Sequence, residues 1–284
     1  MKYMTKEWYE TVQKTSFYLN LKVSKKAETY SECYFKKLYK QKENEWLELW
    51  KNVYEISIKN AILKEFYAEY GEGVSIDDFE FEKIKNMYIK HCKQKDEGFN
   101  NIPEFNPEQE KKKHKRALQR NVKCLREKIP EDILQNVADI RVLALRVASR
   151  EVKQKITKYC KQNEKKVNIA IATYQKEYRK QFQENEPDFI SELFLHDCTL
   201  LSCRKKGNDI VMTIDNSNGF TDISEIRMIN CNIIKQDAPL HGAWCLYEEV
   251  YKSGDRFELH FLFQKKNLID FIVTVDDIKY KYND

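Results

Sequence analysis

The triplet His196–Asp197–Cys198 is the one place where adjacent side chains could hold a metal ion or move a proton. A His beside an Asp offers an imidazole nitrogen and a carboxylate oxygen to a divalent cation, as in HD-type metal-dependent hydrolases. Those enzymes set the pair on helices and add further His and Asp ligands. Here the pair precedes a strand pattern, and the whole chain holds five His. The plainer reading has Asp197 capping a turn and His196 packed at a junction, and it outweighs a single dipeptide match. Cys198 and Cys203 stand at a Cys-x4-Cys spacing, but no second pair completes a tetrahedral zinc set. Both therefore read as small buried apolar side chains, and no metal is expected.

A second group lies further on. Glu248, Glu249, Glu258 and His260 fall on two neighbouring strand patterns. Strand alternation puts Glu258 and His260 on one face, opposite Phe257, Leu259, Phe261 and Phe263. Carboxylates beside a His form a general acid–base set. A polar sheet face that is solvated, or that docks a basic surface, gives the same sequence far more often. The candidate functional cluster is thus His196, Asp197, Glu249, Glu258 and His260. Asp215–Asn216–Ser217–Asn218–Gly219 superficially follows a calcium loop, but its Gly comes one position early and no Glu stands twelfth, so it reads as a turn. Lys111, Lys112, Lys113, Lys115 and Arg116, with Arg120 one turn later, form a basic patch that could meet phosphates. No aromatic residue is interleaved there, as a nucleic-acid surface would favour. No Gly-rich phosphate loop, GxSxG elbow or HExxH helix is present, and no cofactor is expected.

These residues must be positioned by two kinds of element, because the apolar period changes near Pro187. Before it, apolar residues recur every three or four positions. Trp50, Tyr54, Ile58, Ile62, Phe66 and Tyr70 make one such row, predicting a helix over 27–70 with room for a break near Asn44 or Asn60. A second helix starts at Ser75, and the loop of 96–107 follows. Then come a basic helix over 108–128, a buried helix from Pro130 to about Ala148, and a last basic helix over 164–183. After Pro187, period-2 runs predict six strands: 199–204, 210–215, 226–235, 243–251, 256–264 and 268–277. The expected fold is α+β: a helical N-terminal domain of about five helices over 1–187, then a β-rich module over 188–284 built as an antiparallel sheet, sandwich or partial barrel.

Composition bounds the function. The chain has 284 residues, 33% charged and 42% hydrophobic, with 17 Tyr and 15 Phe. Such a chain can bury a core rather than remain disordered. No apolar run approaches the roughly 20 residues needed to span a bilayer, and MKYMTKEWYE carries no apolar stretch of a secretory signal. Eight Cys without a CxxC pair read as reduced thiols of a cytoplasmic protein. Residues 107–180 hold 21 basic and 9 acidic side chains, whereas 188–284 hold 11 and 16. The basic stretch could meet an acidic protein, a nucleic acid or the chain's own acidic module.

Four stretches, MKYMTKEWYE, VADIRVLAL (Val137–Leu145), LHDC (Leu195–Cys198) and GAWCLYEEVY (Gly242–Tyr251), resemble the bacterial domain-of-unknown-function 4085 family across essentially the whole chain. The resemblance implies a cytosolic bacterial protein and supplies no reaction and no catalytic residues. The β-rich part also resembles small immunity-type modules that open with a His-Asp dipeptide before their first strand. The expected function is therefore non-enzymatic protein binding or regulation, immunity-like in character, acting through the β-rich module. The alternatives are a metal-dependent hydrolase centred on His196 and Asp197, or a nucleic-acid binder using the helix at 107–128.

Overall fold

A computed structural model of the chain describes residues 1–70, 81, 83–86, 105–182 and 186–283. In chain order its helical part comprises α1 (Lys6–Val12), β1 (Lys22–Val23), α2 (Glu32–Tyr70), α3 (Pro107–Lys128), α4 (Glu131–Leu134), α5 (Ile140–Ala144), β2 (Val147–Ala148), α6 (Arg150–Phe182) and α7 (Asp188–Ser191). The strands β3 (Thr199–Lys206), β4 (Asp209–Asp215), β5 (Ile223–Ile229) and β6 (Asn232–Gln236) follow. The chain closes with β7 (Ala243–Ser253), β8 (Arg256–Gln264), β9 (Leu268–Val275) and β10 (Asp277–Tyr282). The fold is α+β. The helix start expected at Ser75 and most of the loop at 96–107 lie outside the described residues.

Local chemistry explains where the elements begin. The Thr5 side chain accepts from the Trp8 amide to cap α1. Asn106 accepts from the amides of Glu108 and Gln109 at the start of α3, with Pro107 in the first turn, where its missing N–H is not needed. The helix α2 runs 39 residues without a break at Asn44 or Asn60. The single helix expected from Pro130 to Ala148 is instead three short elements. Asp139 caps α5 by accepting from the Arg141 amide, and Arg146 takes a left-handed φ of 65°. That reversal delivers Val147 and Ala148 into a two-residue parallel pairing with Lys22 and Val23. Ser149 then accepts from the Val152 amide, so α6 starts well before Glu164.

The chain divides into two compact units, Met1–Phe17 with Thr157–Asp284, and Tyr18–Ile156, with the division inside α6. In the 18–156 unit, Leu38, Val142, Leu145 and Val147 form a core with Tyr34, Phe35 and Tyr39 packed around it. The Arg141 guanidinium lies 4.0 Å from the Phe35 ring centroid and pairs with both Glu32 and Asp139. Ile58 and Ile62 of α2 are buried against Tyr54, Phe81 and Ile84.

The other unit holds an eight-stranded antiparallel sheet of order β10-β5-β4-β3-β7-β8-β9-β6, open at β10 and β6. The expected strand at 226–235 is split in two, and a further strand, β10, follows the one expected at 268–277. Asn230 turns the first at a positive φ of 49°, and β9 gives way to β10 at Asp276, whose amide donates to Ile229 O. Two four-stranded halves meet where Thr199 and Leu200 pair with Trp244 and Ala243. Their apolar faces share one core, in which Met212, Ile226 and Met228 of one half join Phe261, Phe271 and Val273 of the other. Antiparallel pairing with one face on an apolar core suits the alternation read from sequence.

Phe271 is fully buried in this core, and Phe220 is 76% exposed on the turn after β4. Phe271→Ala is expected to lower unfolding stability by about 3–5 kcal/mol. Phe220→Ala should stay within about 0.5 kcal/mol of the parent, and urea denaturation of both variants checks the contrast.

Candidate functional site

Strand β7 decides which acidic side chains face where. Cys245 pairs with Phe263 and Tyr247 with Leu262, leaving Leu246 as the extra residue of a β-bulge. A bulge shifts the alternation of the strand by one. Cys245, Glu248 and Val250 therefore share the face of Phe261 and Phe263. Tyr247, Glu249 and Tyr251 share the opposite face with Leu262, His260 and Glu258, their direct cross-strand partners.

On that second face sits the cluster read from sequence. Glu249 has no solvent exposure. One of its carboxylate oxygens accepts from the backbone amides of Tyr3 (2.9 Å) and Met4 (2.5 Å). The other accepts from the Lys2 amide (2.7 Å) and the Tyr251 hydroxyl (2.7 Å). Three successive N–H groups converging on one carboxylate make an anion nest in reverse, with the protein's own side chain as the anion. His260 is buried beside it. Its Nε2 meets Glu258 Oε1 at 2.6 Å, and its Nδ1, 3.8 Å from Glu249 Oε2, has no hydrogen-bond partner. Burial outweighs the Glu258 bond and holds the imidazole below its ordinary pKa. Against its own desolvation, Glu258 is held below the usual carboxyl value by hydrogen bonds from His260 and Lys2.

This face is covered. Lys2 Nζ lies 3.1 Å from Glu258 and 3.9 Å from the Tyr251 ring centroid. Tyr174 of α6 packs on Tyr251 while its hydroxyl accepts from the Val250 amide. Trp8 of α1 meets the Tyr247 ring edge-on at 4.9 Å and donates through Nε1 to Val167 O. Glu249, Glu258 and His260 are brought together, as a general acid–base set would be, but their bonds are spent on the chain itself. The four bonds to Glu249 occupy the lone-pair sites of its carboxylate and leave none for a substrate.

His196 and Asp197 lie in the loop before β3. Asp197 has a positive φ of 67°, and its amide donates to Cys245 O, pinning the loop to β7. The His196 Nδ1 stands 3.2 Å from Asp197 Oδ1, and its ring meets Tyr247 edge-on at 5.3 Å. Asp215–Gly219 forms the turn after β4, in which Asp215 Oδ1 accepts from the Ser217 amide. The turn passes so close to this loop that a Cβ on Gly219 would come within 2.4 Å of Cys198 Sγ. Among the described residues, no three His, Cys, Asp or Glu side chains group as a metal ion would require. None of the seven described cysteines is in a disulfide, and burial pushes the Cys198 thiol up to about 11.

Glu248, on the core side, escaped sequence reading as a distinct group. Its Oε2 is buried without a hydrogen-bond partner, and burial pushes its carboxyl up to about 7 despite a backbone hydrogen bond from Leu195. The part played by Lys2–Met4 carried no signal either, because backbone amides look the same in every sequence.

In the other unit, the six residues of the basic patch on α3 divide. Lys111 and Lys113 pair with Glu108 and Glu110 of the same helix. Lys112, Lys115, Arg116 and Arg120 are exposed. His114, between them in sequence, is buried against Tyr39 and Trp46. Among the described residues no helix is long and apolar enough to cross a membrane.

Removing a buried, fully bonded carboxylate strands its donors. Glu249→Ala is expected to lower stability by about 3–5 kcal/mol and to release the first residues, read as faster amide exchange over 2–9. Glu248 acts through pH. Its folded pKa is raised, so the protonated form favours folding, and stability falls as pH rises from about 4.5 through about 7. That shift corresponds to about 3 kcal/mol at pH 8. Glu248→Gln should remove this decline, so that the variant melts at a higher temperature than the parent at pH 8 but not at pH 4.

Comparison with known proteins gives one family, described as a protein of unknown function (DUF4085), whose model matches residues 108–273. No curated protein and no solved structure matches the chain. The matched stretch is more than half of the sequence and runs from α3 into β9, so the chain belongs to the DUF4085 family.

Proposed function

We propose that this is a cytoplasmic bacterial protein that binds another protein, in the manner of an immunity or regulatory factor, through its β-rich part. The observation that carries the reading is an exposed aromatic group beside the His196 loop. Phe220 is 76% and Phe194 46% exposed, their ring centroids lie 6.5 Å apart, and Phe194 stacks on His196. Solvent-facing aromatic clusters on a rigid support are the usual anchors of protein interfaces. The support here is rigid: the loop is tied to β7 through Asp197, and Gly219 packs against Cys198.

The acid–base cluster supports the same reading from the other side. Glu249 and His260 are buried under residues 1–4 and α6, so their charges serve the protein's own assembly. His196 then acts as a contact residue rather than a metal ligand. Of the α3 cations, Lys113 lies over the Trp50 ring but is paired with Glu110, and the exposed face is read as solvated.

A pull-down from bacterial lysate with the full chain as bait is the test. A stoichiometric protein partner should be recovered, and Phe194→Ala/Phe220→Ala should lower its yield at least tenfold while the melting temperature is unchanged. Equal recovery by parent and variant, or no stoichiometric partner under mild salt, overturns the reading.

A further inference from the structure

Within the net-negative stretch 188–284, positive charge is not scattered. Six of its 11 basic side chains line one groove of about 590 Å³ on strands β3, β4, β5 and β10: Arg204, Lys205, Lys206, Arg227, Lys279 and Lys281. The volume falls within the range of small-molecule sites. The sheet register explains how the charges converge. Arg204 pairs with Val211, Val211 with Arg227, and Arg227 with Lys279, so three cations occupy one row across four strands. That row spans about 14 Å at the usual separation of strands. Lys206 and Lys281 stand two residues along from its ends.

Like charges directly opposite on neighbouring strands repel, and Arg227 faces Lys279 in that way. Local anions relieve only part of the repulsion. Asp209 holds Arg227 through Nε at 2.8 Å and through the guanidinium terminus at 2.6 Å, and Glu225 holds Lys281 at 2.5 Å. These two pairs orient their cations. Arg204, Lys206 and Lys279 make no direct ion pair among the described residues, and Lys279 is countered only at longer range by Asp209. A sheet that keeps three cations without a direct ion pair over one concavity has the shape and charge of a site for a compact anion.

We propose that this groove binds a small molecule carrying two or more phosphate groups. The array is a patch about 14 Å across the strands and about 13 Å along them, because Lys206 and Lys281 lie on opposite sides of the row, rather than a track along which a strand of nucleic acid could run. It also lacks a stacking platform: the aromatic residue of the lining, Tyr280, packs its ring against the apolar core and donates its hydroxyl to Phe189 O. Base stacking supplies much of the binding of single strands, so a nucleic acid fits less well. Arg227 and Lys281, already oriented and diagonal neighbours on adjacent strands, would grip one phosphate, with Arg204, Lys206 and Lys279 neutralised by the rest of the ligand. This ligand is distinct from the protein partner proposed above, and its groove does not include Phe194 or Phe220.

Titration calorimetry on the full chain with inorganic triphosphate as probe tests the inference. One triphosphate per chain is expected, with affinity falling as salt rises from 50 to 200 mM. Arg204→Glu/Lys279→Glu should weaken binding at least tenfold. The charge-matched Lys112→Glu/Lys115→Glu on α3 should change it less than twofold. Because repulsion is relieved, the groove variant without ligand should melt no lower than the parent at low salt. Arg204→Gln/Lys279→Gln serves as the second variant should the reversal fail to fold. No heat with triphosphate, equal loss in the α3 control, or tighter binding of a 12-nucleotide single strand or of oligoglutamate than of triphosphate would each overturn the proposal.

Discussion

One buried carboxylate organises the sheet-bearing unit. Glu249 has no contact with solvent, and an unpaired charge in that position would be untenable. It is stabilised by the amides of Lys2, Tyr3 and Met4 and by the Tyr251 hydroxyl. Those bonds bring the first residues of the chain against strands more than 240 positions away. Once they are there, Lys2 reaches Glu258, Lys6 reaches Asp237 at 2.6 Å, and Trp8 lies against Tyr247 and Val167. The acidic face of β7 to β9 is thereby covered by basic and aromatic groups from the same chain. Local neutralisation of this kind lets a sheet carry a polar face beneath packed helices.

The direction of each acid depends on a single extra residue. With Leu246 bulged, Glu249 faces the N-terminal segment and Glu248 faces the apolar side. A regular strand would put Cys245 and Glu249 on one face, and the nest could not form. The same bulge leaves Glu248 with a buried oxygen and no partner. A second bulge in β3, between Leu200 and Ser202, keeps Leu200 in the core while Arg204 stands on the opposite face, in the row with Arg227 and Lys279. Two bulges thus set both the covered acidic face and the open basic one.

That contrast separates structural from functional charge within one sheet. Around Glu249, each acid meets an internal donor at close range. Around Arg204 and Lys279, like charges are set in register and only partly countered by Asp209 and Glu225. Phe194, before β3, and Phe220, on the turn after β4, stand in solvent on adjoining loops tied by backbone bonds. An assembly that neutralises one face so fully leaves the remaining cations and aromatics as its means of meeting other molecules.

Much of this architecture could be read from residue order. The change from period 3.6 to period 2 beyond Pro187 announces the run of strands β3 to β10, because each backbone geometry repeats its exposed face at its own interval. The shared face of Glu258 and His260 followed from alternation, and the turn at Asp215–Gly219 from its Asp, Asn, Ser and Gly residues. Other features depended on contacts between distant residues. The helix expected over 130–148 broke because Arg146 reverses the chain to pair Val147 and Ala148 with Lys22 and Val23, a contact no local pattern encodes. The bulge at Leu246, the burial of Glu249 and the row of Arg204, Arg227 and Lys279 arise from strand pairing across long separations. Local sequence determines period, caps and turns because those are energies of neighbouring residues. Register, burial and charge meeting charge were decided only when the strands and the N-terminal segment came together.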